Sequence, residues 1–353
     1  MKLLFLCKRR PMSRDLLTHP YGRFFYLPKL LAERGHDVTV ALLDYKGGAD
    51  VDVNEYGVRW LSLSVRRYRS GVLRAIENAP PDWIVGFSDT YFGILARRLA
   101  RRVGSRYAID AYDNYESYIP WAVPLHMLWR SALRDADLIT AAGPGLIELM
   151  ARGSSQAMTA VVPMAADPTG FEPRDKAACR RELGLPLEQP LVGYCGSMHR
   201  SRGVTVLFDA LPMIKKARPE IGFVHSGRTW KDVPLPDDIR SLGYIDSEQV
   251  PVLLNSMDVL VVVNKDSAFG HHSYPVKLYE AMSCGVPVVA TRTRATEWIL
   301  EKQPERLFDS GDPAALTRAV LASLDNPQSD FGTVPTWESS CDSLERALEE
   351  RLS

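Results

Sequence analysis

The sequence predicts an α/β protein of two domains, each built around a mainly parallel sheet. Its 353 residues are enough for two domains of ordinary size. Short apolar, β-branched segments alternate with helical segments through both halves, which is the pattern of a parallel sheet covered by helices. A linker at 164–173 contains two prolines and separates the halves. We therefore expect domains at 1–165 and 166–335 and a last helix at 336–353.

Composition narrows the class of protein. Hydrophobic residues make up 46% of the chain and charged residues 24%, which is normal for a globular protein. The five cysteines are scattered and lack C-x-x-C spacing, so neither a disulfide framework nor a zinc site is expected. No apolar run is long enough to span a membrane, and the apolar start is too short for a signal sequence. We expect a cytoplasmic protein with no nucleic-acid partner.

The first half opens as strand, loop, helix, strand, which is the start of a Rossmann-like layer. No G-x-G-x-x-G follows the first strand, so the dinucleotide fingerprint is absent. The predicted strands of this half are residues 2–7, 37–43, 58–63, 82–87, 107–111, 136–141 and 160–163. The predicted helices are residues 24–34, 70–78, 91–103 and 145–151.

The predicted helix at 91–103 has a basic side. Arg97, Arg98, Arg101 and Arg102 lie on one side of an otherwise apolar helix. The first half as a whole carries a net charge of +6, against −6 for the rest of the chain. A basic amphipathic helix suits an anionic lipid surface. A solvated arginine face on a core helix is the alternative, and the sequence leaves both open.

Acidic and aromatic residues follow the predicted strand at 107–111. Asp110 belongs to the end of this strand, and Asp113 and Tyr115 lie in the loop behind it. Open α/β sheets bind ligands at the carboxyl ends of their strands, and aromatic faces beside carboxylates suit a carbohydrate. The loop is therefore a candidate carbohydrate site, although ordinary surface-turn chemistry explains the same residues.

The second half repeats the alternation of strands and helices. Its predicted strands are residues 191–195, 222–226, 259–263 and 286–291, and its predicted helices are residues 175–183, 204–216, 249–255, 276–284, 313–325 and 337–352. Pro313 can begin its helix because an N–H in the first turn has no intrahelical acceptor. The last helix is amphipathic, so one of its faces is expected to pack on a domain.

A glycine-rich basic loop follows the strand at 191–195. It runs from Gly196 to Gly203 and leads directly into a helix, so it lies at the ligand edge of the sheet. Arg202 can neutralise phosphate oxygens in a bidentate manner, and Arg200 lies two residues before it. We interpret this segment as a phosphate-binding loop; a basic surface turn is the alternative.

The stretch 273–291 is a loop, a helix and a strand in succession. Pro275 stands near the first helical turn, and the free N–H groups and positive dipole end around Val276 suit an anion such as a diphosphate. Glu280, one turn further, can accept two hydrogen bonds from a vicinal diol such as that of ribose. These features predict a nucleotide site, although Glu280 can instead pair with Lys277 on a solvated helix face.

The run from Glu280 to Ala290, E-A-M-S-C-G-V-P-V-V-A, resembles the signature of the retaining glycosyltransferases of family 4, which have the GT-B fold. That signature has a first Glu eight residues before the second, and here this position is His272. The resemblance implies that Glu280 binds the ribose. It also implies that His272 replaces the Glu that contacts the hydroxyls of the donor sugar. The resemblance covers essentially the whole chain and is strongest at 191–300.

The resemblance extends to the phosphate loop. The family has G-R-x-x-x-x-K-G where this chain has Gly196 and Ser197, then Arg202 and Gly203. Arg202 is therefore expected to clamp the donor diphosphate in place of the usual Lys. Ser197 stands where Arg is usual, and Arg200 is the candidate that compensates for it.

The base and the acceptor have expected contacts as well. The main chain near Tyr244 and Ile245 corresponds to the base-binding turn of the family. Asp113 stands where relatives meet the donor sugar or the acceptor hydroxyl. The residues expected at the start of the donor helix are Ser273, Tyr274, Pro275 and Val276, and those expected on the acceptor side are Gly22, Asp110, Asp113 and Tyr115. Asp113, Arg202 and His272 are the predicted catalytic residues.

The activity implied by the resemblance is transfer of a sugar from a UDP- or GDP-sugar to an acceptor hydroxyl with retention of configuration. The acceptor would be a sugar, a lipid or a small molecule, in the synthesis of a glycan, a glycolipid or a natural-product glycoside. Positive charge from Arg202 and the helix start would stabilise the departing diphosphate. The two domains would face each other across a cleft, and the last helix would cross back to the first domain.

No metal and no other cofactor is expected. The D-x-D pairs at 50–52 and 135–137 lie in an early polar loop and in a helix-to-strand connection, where neither is positioned to hold a donor-bound metal ion. If the acceptor is a lipid, the basic first domain is expected to contact the inner face of the membrane peripherally.

Two other activities stay open. A non-catalytic nucleotide-sugar-binding protein would explain why His272 and Ser197 replace the usual Glu and Arg. A nucleotide-sugar epimerase with the same fold would convert the donor without an acceptor. Such epimerases use acid/base carboxylates and histidines at positions that have no match in this chain.

Overall fold

The computed structural model describes residues 1–154, 156–231, 233–328 and 330–352. The chain divides into two compact units. The first unit is Met1–Met164 together with Thr336–Ser353, and the second is Ala165–Pro335. Each unit is an α/β structure with its own sheet, so the predicted fold class is confirmed.

The first unit contains an eight-stranded sheet. Its strands are β1 (Lys2–Lys8), β2 (Asp37–Asp44), β3 (Val51–Glu55), β4 (Val58–Ser64), β5 (Trp83–Gly86), β6 (Arg106–Ala111), β7 (Leu138–Ala141) and β8 (Met158–Val161). Their order in space is β3-β4-β2-β1-β5-β6-β7-β8, and all neighbours are parallel except β3 and β4. The helices that follow its strands are α1 (Arg23–Glu33), α2 (Val65–Ile76), α3 (Thr90–Val103), α4 (Val123–Arg134) and α5 (Pro144–Met150).

Strand β3 corrects the expectation that residues 50–52 lie in a polar loop. Asp52 pairs in antiparallel register with Leu61 of β4. Tyr56 and Gly57 connect the two strands with φ values of 56° and 75°, the geometry of a two-residue hairpin turn. Asp52 also accepts a 2.7 Å hydrogen bond from Arg59 across the hairpin. The first D-x-D pair therefore belongs to a surface hairpin.

The second unit contains a six-stranded, wholly parallel sheet. Its strands are β9 (Leu191–Cys195), β10 (Gly222–Ser226), β11 (Ile239–Ser241), β12 (Val259–Val262), β13 (Val288–Thr291) and β14 (Leu307–Phe308). Its helices are α6 (Lys176–Glu182), α7 (Thr205–Ala217), α8 (Val250–Asn255), α9 (Val276–Ser283), α10 (Arg294–Ile299) and α11 (Pro313–Asp325). The spatial order is β11-β10-β9-β12-β13-β14, the order of a doubly wound nucleotide-binding sheet.

This strand order creates a topological switch point between β9 and β12. The chain moves from β9 to β10 and β11 on one side and returns to β12, β13 and β14 on the other, so the loops after β9 and β12 diverge and leave a crevice. All residues of β12 and β13 are buried, which explains their near-continuous apolar sequence. Below α9, Leu278 and Ala281 join the apolar cluster that holds this helix on the sheet.

The last helix, α12 (Trp337–Leu352), belongs to the first unit. The Trp337 ring stacks on Tyr26 of α1 with ring centroids 5.9 Å apart, and Ser340 Oγ donates to the Pro163 carbonyl oxygen at 3.0 Å. Leu344 and Leu348 are completely buried. Within the ranges that the structure describes, no helix is both long enough and apolar enough to cross a membrane.

Candidate functional site

The start of α9 is the centre of the candidate donor site in the second unit. Pro275 is the residue before the first helical turn, and a proline side chain has no group that can cap backbone N–H groups. The preceding turn, Gly270–His272, is compact, since a Cβ on Gly270 would overlap the Lys265 carbonyl oxygen. His272 and Ser273 are 9% and 7% exposed, so the approach to the helix is a fixed, mostly buried segment.

Glu280 faces this site from one turn inside α9. The Lys277 ammonium donates a 2.5 Å hydrogen bond to Glu280 Oε2, so the alternative pairing is present. It is not on a solvated face, because the Glu280 side chain is only 9% exposed. Burial lowers the pKa of Lys277, but the Glu280 carboxylate, with smaller contributions from Cys195 and Asp167, raises it, and the net pKa is raised. Within the described part of the chain only Lys277 bonds this carboxylate, which leaves Oε1 available to a ligand.

The end of β9 lies beside this ion pair. Burial raises the pKa of the Cys195 thiol to about 11, while Lys277 lowers it and Glu280 raises it, so both charges act on the last residue of the strand. At the same strand end, burial raises the pKa of Tyr194 to about 12, and Arg202 opposes this shift. The strand end therefore connects the ion pair of α9 with the arginine of the phosphate loop.

The predicted phosphate loop follows β9 directly. Arg200–Arg202 form a short 3-10 turn, and Gly203 ends it with a φ of 80° before α7 begins. The guanidinium of Arg202 lies 5.3 Å from the ring centre of Phe269, in the segment that precedes His272. Arg202 is exposed, and among the described residues no carboxylate pairs with it. Its charge is therefore available to an anion.

Two glycine contacts hold the loops of the switch point together. A Cβ on Gly203 would touch the backbone of Lys265 at 3.4 Å, so the phosphate loop rests on the loop after β12. A Cβ on Gly227, which has a φ of 140°, would overlap the carbonyl oxygen of Gly196. The Gly227 N–H donates to the Gly243 carbonyl oxygen at 2.8 Å, and this hydrogen bond links the turn after β11 to the loop after β10.

The predicted base-binding turn lies at the edge of this assembly. Tyr244 is 72% exposed, and the Arg228 guanidinium lies 5.8 Å from its ring centre. Ile245 is half-buried and packs on the apolar cluster below. The Met198 N–H donates to the Arg228 carbonyl oxygen at 2.8 Å, so this turn is joined to the phosphate loop.

Sequence reasoning assigned no role to Gly227 and Arg228. The available signal was their position, because they directly follow β10 at the carboxyl edge of the sheet. The structure thus brings together the predicted donor residues at one sheet edge. These residues are Gly196, Ser197, Arg200, Arg202, Gly203, Tyr244, Ile245, His272, Ser273, Tyr274, Pro275, Val276 and Glu280.

The acceptor-side predictions lie in the first unit, where Asp110 requires a correction. Its carboxylate is completely buried and bonded to Arg23 at 2.5 and 2.6 Å, and Thr140 Oγ1 donates to it at 2.5 Å. Arg23 also donates to the Val162 carbonyl oxygen at 2.7 Å. Asp110 is therefore enclosed as one half of a structural ion pair, out of reach of an acceptor.

Tyr115 is also a core residue and not a surface contact. It is 2% exposed, and its ring lies 5.8 Å from that of Trp129. Burial raises its pKa well above the usual range. Asp113 is also largely buried, at 9% exposed, and accepts a 2.6 Å hydrogen bond from the Tyr118 hydroxyl. A contact between Asp113 and the acceptor stays a prediction.

Gly22 precedes α1 with a φ of 61°, and its carbonyl oxygen accepts the N–H groups of Phe25 and Tyr26 at 3.0 Å. No described atom lies within 4 Å of a Cβ built on it. Its glycine identity therefore follows from the positive φ, as in a helix-entry turn. A contact between Gly22 and the acceptor stays a prediction.

The basic side of α3 is partly neutralised. Arg97 and Arg101 both pair with Asp135, the latter at 2.8 Å, and Arg102 lies 3.6 Å from Glu77. Asp135, from the second D-x-D pair, is thereby committed to arginine. Arg98 is exposed, and two carboxylates face four arginines, so this side of α3 keeps a positive charge and both interpretations offered by the sequence stay open.

Two family profiles match the chain. One, described as "Glycosyl transferases group 1", matches residues 189–326, and the other, "Glycosyl transferase 4-like domain", matches residues 26–165. Among solved structures, sucrose-phosphate synthase from Thermosynechococcus elongatus aligns with a TM-score of 0.72 and 18% identity. That alignment covers 99% of this chain and 94% of the other, so the fold is shared over essentially its whole length.

Curated relatives match over shorter segments. A phosphatidyl-myo-inositol mannosyltransferase of Propionibacterium freudenreichii subsp. shermanii is 33% identical over 146 residues, which are 40% of this chain and 36% of that protein. A GDP-mannose-dependent alpha-(1-6)-phosphatidylinositol monomannoside mannosyltransferase of Mycolicibacterium smegmatis is 26% identical over 249 residues, 65% of this chain and 64% of that protein. The chain thus spans between about a third and two thirds of the length of these relatives.

Proposed function

Because this chain belongs to the glycosyl transferases of group 1, we propose that it moves a sugar from a nucleotide diphosphate donor to an acceptor hydroxyl. The donor is a UDP- or GDP-sugar, and configuration at the anomeric carbon is retained. One observation carries this proposal. The support is the carboxyl edge of the second sheet, which carries Arg202, with no carboxylate bonded to it within the described ranges, the start of α9 and the largely buried carboxylate of Glu280. They match a diphosphate and a ribose in the order in which a nucleotide presents them.

The chemistry follows from where charge develops. The bond between the sugar C1 and the diphosphate oxygen breaks, and its electron pair leaves with the diphosphate. A bond forms between C1 and the acceptor oxygen, whose proton passes to the departing diphosphate. Negative charge grows on the departing diphosphate as C1 becomes cationic. Arg202 and the first N–H groups of α9 are fixed positive groups that stabilise this charge without reorganising. His272, in the turn before α9, stands where the family has the Glu that contacts the donor sugar, and we propose that it makes this contact.

A bound metal is not needed in this proposal, because Arg202 and the helix start supply positive charge to the diphosphate. Both D-x-D pairs are occupied elsewhere: Asp52 bonds Arg59, and Asp135 bonds Arg97 and Arg101. We expect transfer to continue in excess EDTA. Activity that EDTA abolishes and that Mg²⁺ or Mn²⁺ restores would contradict this part of the proposal.

The proposed acceptor is the hydroxyl group of a polyol or of a lipid headgroup. The support comes from the two curated relatives, whose names specify phosphatidylinositol acceptors. Asp113 is the proposed acceptor-side group, since its carboxylate is held by Tyr118 at the loop after β6. A lipid acceptor would also require peripheral contact of the first unit with a membrane.

A second function, nucleotide-sugar binding without transfer, is favoured by two specific positions. His272 and Ser197 stand where the family has Glu and Arg. A protein of this kind would bind the donor and never release nucleoside diphosphate. An epimerase would instead change the sugar of the donor in the absence of any acceptor.

The test is a matrix of UDP- and GDP-sugars against myo-inositol and phosphatidylinositol vesicles, with nucleoside diphosphate and glycosylated product measured separately. Transfer predicts both products in equal amounts. Arg202→Ala should lower kcat/KM by about a hundredfold or more, and Arg202→Lys should recover part of it. Arg181→Ala, which removes an exposed arginine of α6, is the matched control. Donor binding with no product for any acceptor would favour the binding protein.

A further inference from the structure

The first unit exposes an unusual concentration of apolar side chains just after the loop of Asp113. Ile119, Trp121, Val123, Met127 and Leu128 are 37%, 77%, 57%, 66% and 45% exposed. They define what we call the apolar segment 119–128. Scattered single apolar residues on a surface are normal, but a contiguous group indicates an interaction site.

The exposure does not arise from loose packing. The segment enters α4, whose inner face is buried through His126 and Trp129. Trp129 lies so close to α3 that a Cβ on Gly93 would come within 2.5 Å of its ring. The apolar side chains therefore project from a helix that is fixed to the core by its other side.

The acidic residues that flank the segment, Glu116 and Asp135, are each bonded to arginines. Between residues 117 and 134 the chain has two arginines, Arg130 and Arg134, and no acidic residue. Val123, Met127, Arg130 and Arg134 are spaced at i, i+4, i+7 and i+11, so they share one face of α4. Arg130 bonds Glu116 at 2.5 Å, whereas Arg134 is exposed and has no carboxylate partner within the described ranges.

We propose that the apolar segment 119–128 inserts into the interface of an anionic lipid membrane, with Arg134 on the headgroups. Tryptophan and aliphatic side chains beside arginine are the composition of a helix that lies in a membrane interface. The alternative occupant is a second copy of this chain in a two-fold contact, which would place the same segment, with its exposed Arg134, on both sides of the interface.

The position of the segment connects this surface to the proposed acceptor side. Tyr118, immediately before the segment, bonds Asp113. An acceptor held in the membrane would thus present its headgroup beside the acceptor-side carboxylate. This last step rests on the proposed function, but lipid binding itself can be measured without turnover, so the two can fail separately.

The experiment is co-sedimentation of the full chain with vesicles of phosphatidylcholine alone or mixed with phosphatidylglycerol. We expect binding to the anionic vesicles that weakens as salt is raised. The double variant Trp121→Ser/Met127→Ser should bind about tenfold less or weaker still, and Arg134→Gln about fivefold less. Trp230→Ser is the matched control, since Trp230 is a 52% exposed tryptophan of the other unit, and it should bind as the parent does.

Absence of binding to anionic vesicles, or equal binding by the double variant and the parent, would overturn the proposal. Size-exclusion chromatography of the same proteins tests the alternative occupant, a second copy of this chain. A parent that elutes as a dimer and a double variant that elutes as a monomer, without vesicle binding by either, would assign the segment to self-association instead. Circular dichroism of each variant confirms that its fold is retained.

Discussion

At the scale of single residues, the candidate donor site contains Glu280, a carboxylate that is oriented by an ion pair. The Lys277 ammonium holds Oε2 and leaves Oε1 toward a ligand. An ionised, largely buried carboxylate needs such a partner, because an isolated buried charge is costly. The ion pair therefore orients Glu280 Oε1 as a hydrogen-bond acceptor before a nucleotide binds. The geometry of the pair need not change when a diol binds.

The first prediction concerns this carboxylate. Glu280→Gln should weaken binding of the preferred nucleoside diphosphate about 10- to 100-fold, because hydrogen bonds to a charged group contribute roughly 1.5–3 kcal/mol. The measurement is a thermal-shift titration with the diphosphate and with its 2′,3′-dideoxy analogue. The parent should prefer the nucleotide that carries the diol, and the variant should bind both alike.

Glu297→Gln is the control for this comparison, since Glu297 is a half-exposed glutamate of the neighbouring helix α10. A variant at Glu280 that still discriminates between the two nucleotides would mean that the ribose is bound elsewhere.

At the scale of elements, the loops of the candidate site meet at two glycines, Gly203 and Gly227, and only at Gly227 is there no room for a side chain. Gly203 rests on Lys265, and Gly227 rests on Gly196, each at the carboxyl end of a parallel strand. The strands fix where these loops start, and the glycines fix how near they come. The crevice at the switch point thus results from strand order together with two backbone contacts.

The second prediction follows from the closer of these contacts. Gly227→Ala should displace the loop at Gly196 because the added methyl group overlaps its carbonyl oxygen. The positive φ of Gly227 adds strain of about 1 kcal/mol or more. We expect a lower melting temperature and a loss of diphosphate binding that is larger than the loss of stability alone would cause. Thr229→Ala, two residues further along, should leave the melting temperature and the diphosphate binding nearly unchanged.

The third prediction concerns acid sensitivity of the second unit. Asp258 joins three elements, since it accepts from the Leu191 N–H at 2.7 Å and from Lys176 and Arg180 at 2.6 Å. Burial alone would raise the pKa of this carboxyl, but the bonds from Lys176 and Leu191 and the nearby positive charges lower it. A depressed folded-state pKa stabilises the fold above the unfolded value of about 4, and this stabilisation is lost as pH falls through the folded value.

Asp258→Asn should therefore lower the melting temperature at pH 7 and reduce the further loss between pH 5 and pH 3, relative to the parent. Asp325→Asn, at a 71% exposed position, should change neither. If the Asp258 variant loses as much stability on acidification as the parent does, the acid sensitivity arises elsewhere.

At the scale of the whole molecule, the first unit is assembled from two distant parts of the chain. The helix α12 packs against α1 and β8, and Arg34 of the first part bonds Asp342 and Glu345 of the last helix at 2.6 and 2.5 Å. The second unit is continuous. One unit is therefore closed by residues that follow the other unit in sequence.

The fourth prediction tests how much α12 contributes. Leu344→Ala should destabilise the first unit by about 2–5 kcal/mol, since Leu344 is completely buried between α12 and the sheet. Leu352→Ala, at the exposed end of the same helix, should cost less than about 0.5 kcal/mol. Calorimetry should show the change in one transition only. Equal effects of the two substitutions would mean that α12 is not part of the cooperative core.

The parts of this fold that could be predicted are those in which one pattern decides the outcome. The strands at Leu191–Cys195 and Gly222–Ser226 and the helices Pro313–Asp325 and Trp337–Leu352 match their predicted bounds, because apolar runs, proline and glycine define them locally. The helix Arg294–Ile299 and the two-residue strand Leu307–Phe308 were not predicted, since such short elements depend on tertiary contacts.

The candidate site was likewise predictable only where a local motif decides the outcome. Motif spacing placed Arg202 and Glu280 at one sheet edge, because both follow strands whose order the family resemblance implied. It failed for Asp110, whose partner Arg23 lies 87 residues earlier in the chain, and no local pattern shows that the pair closes into a buried bridge. The prediction for Tyr115 was wrong for a related reason. An aromatic residue in a polar loop has the same local sequence whether its side chain points outward or into the core.

The late position of α12 has a consequence for biosynthesis. As the chain leaves the ribosome, the sheet of the first unit emerges early but lacks the helix that covers Tyr26 and the end of β8. The intervening unit has a sheet and apolar clusters of its own. Until the final segment is translated, an apolar strip of the nascent sheet remains open to chaperones, and a premature stop before Trp337 would leave it open permanently.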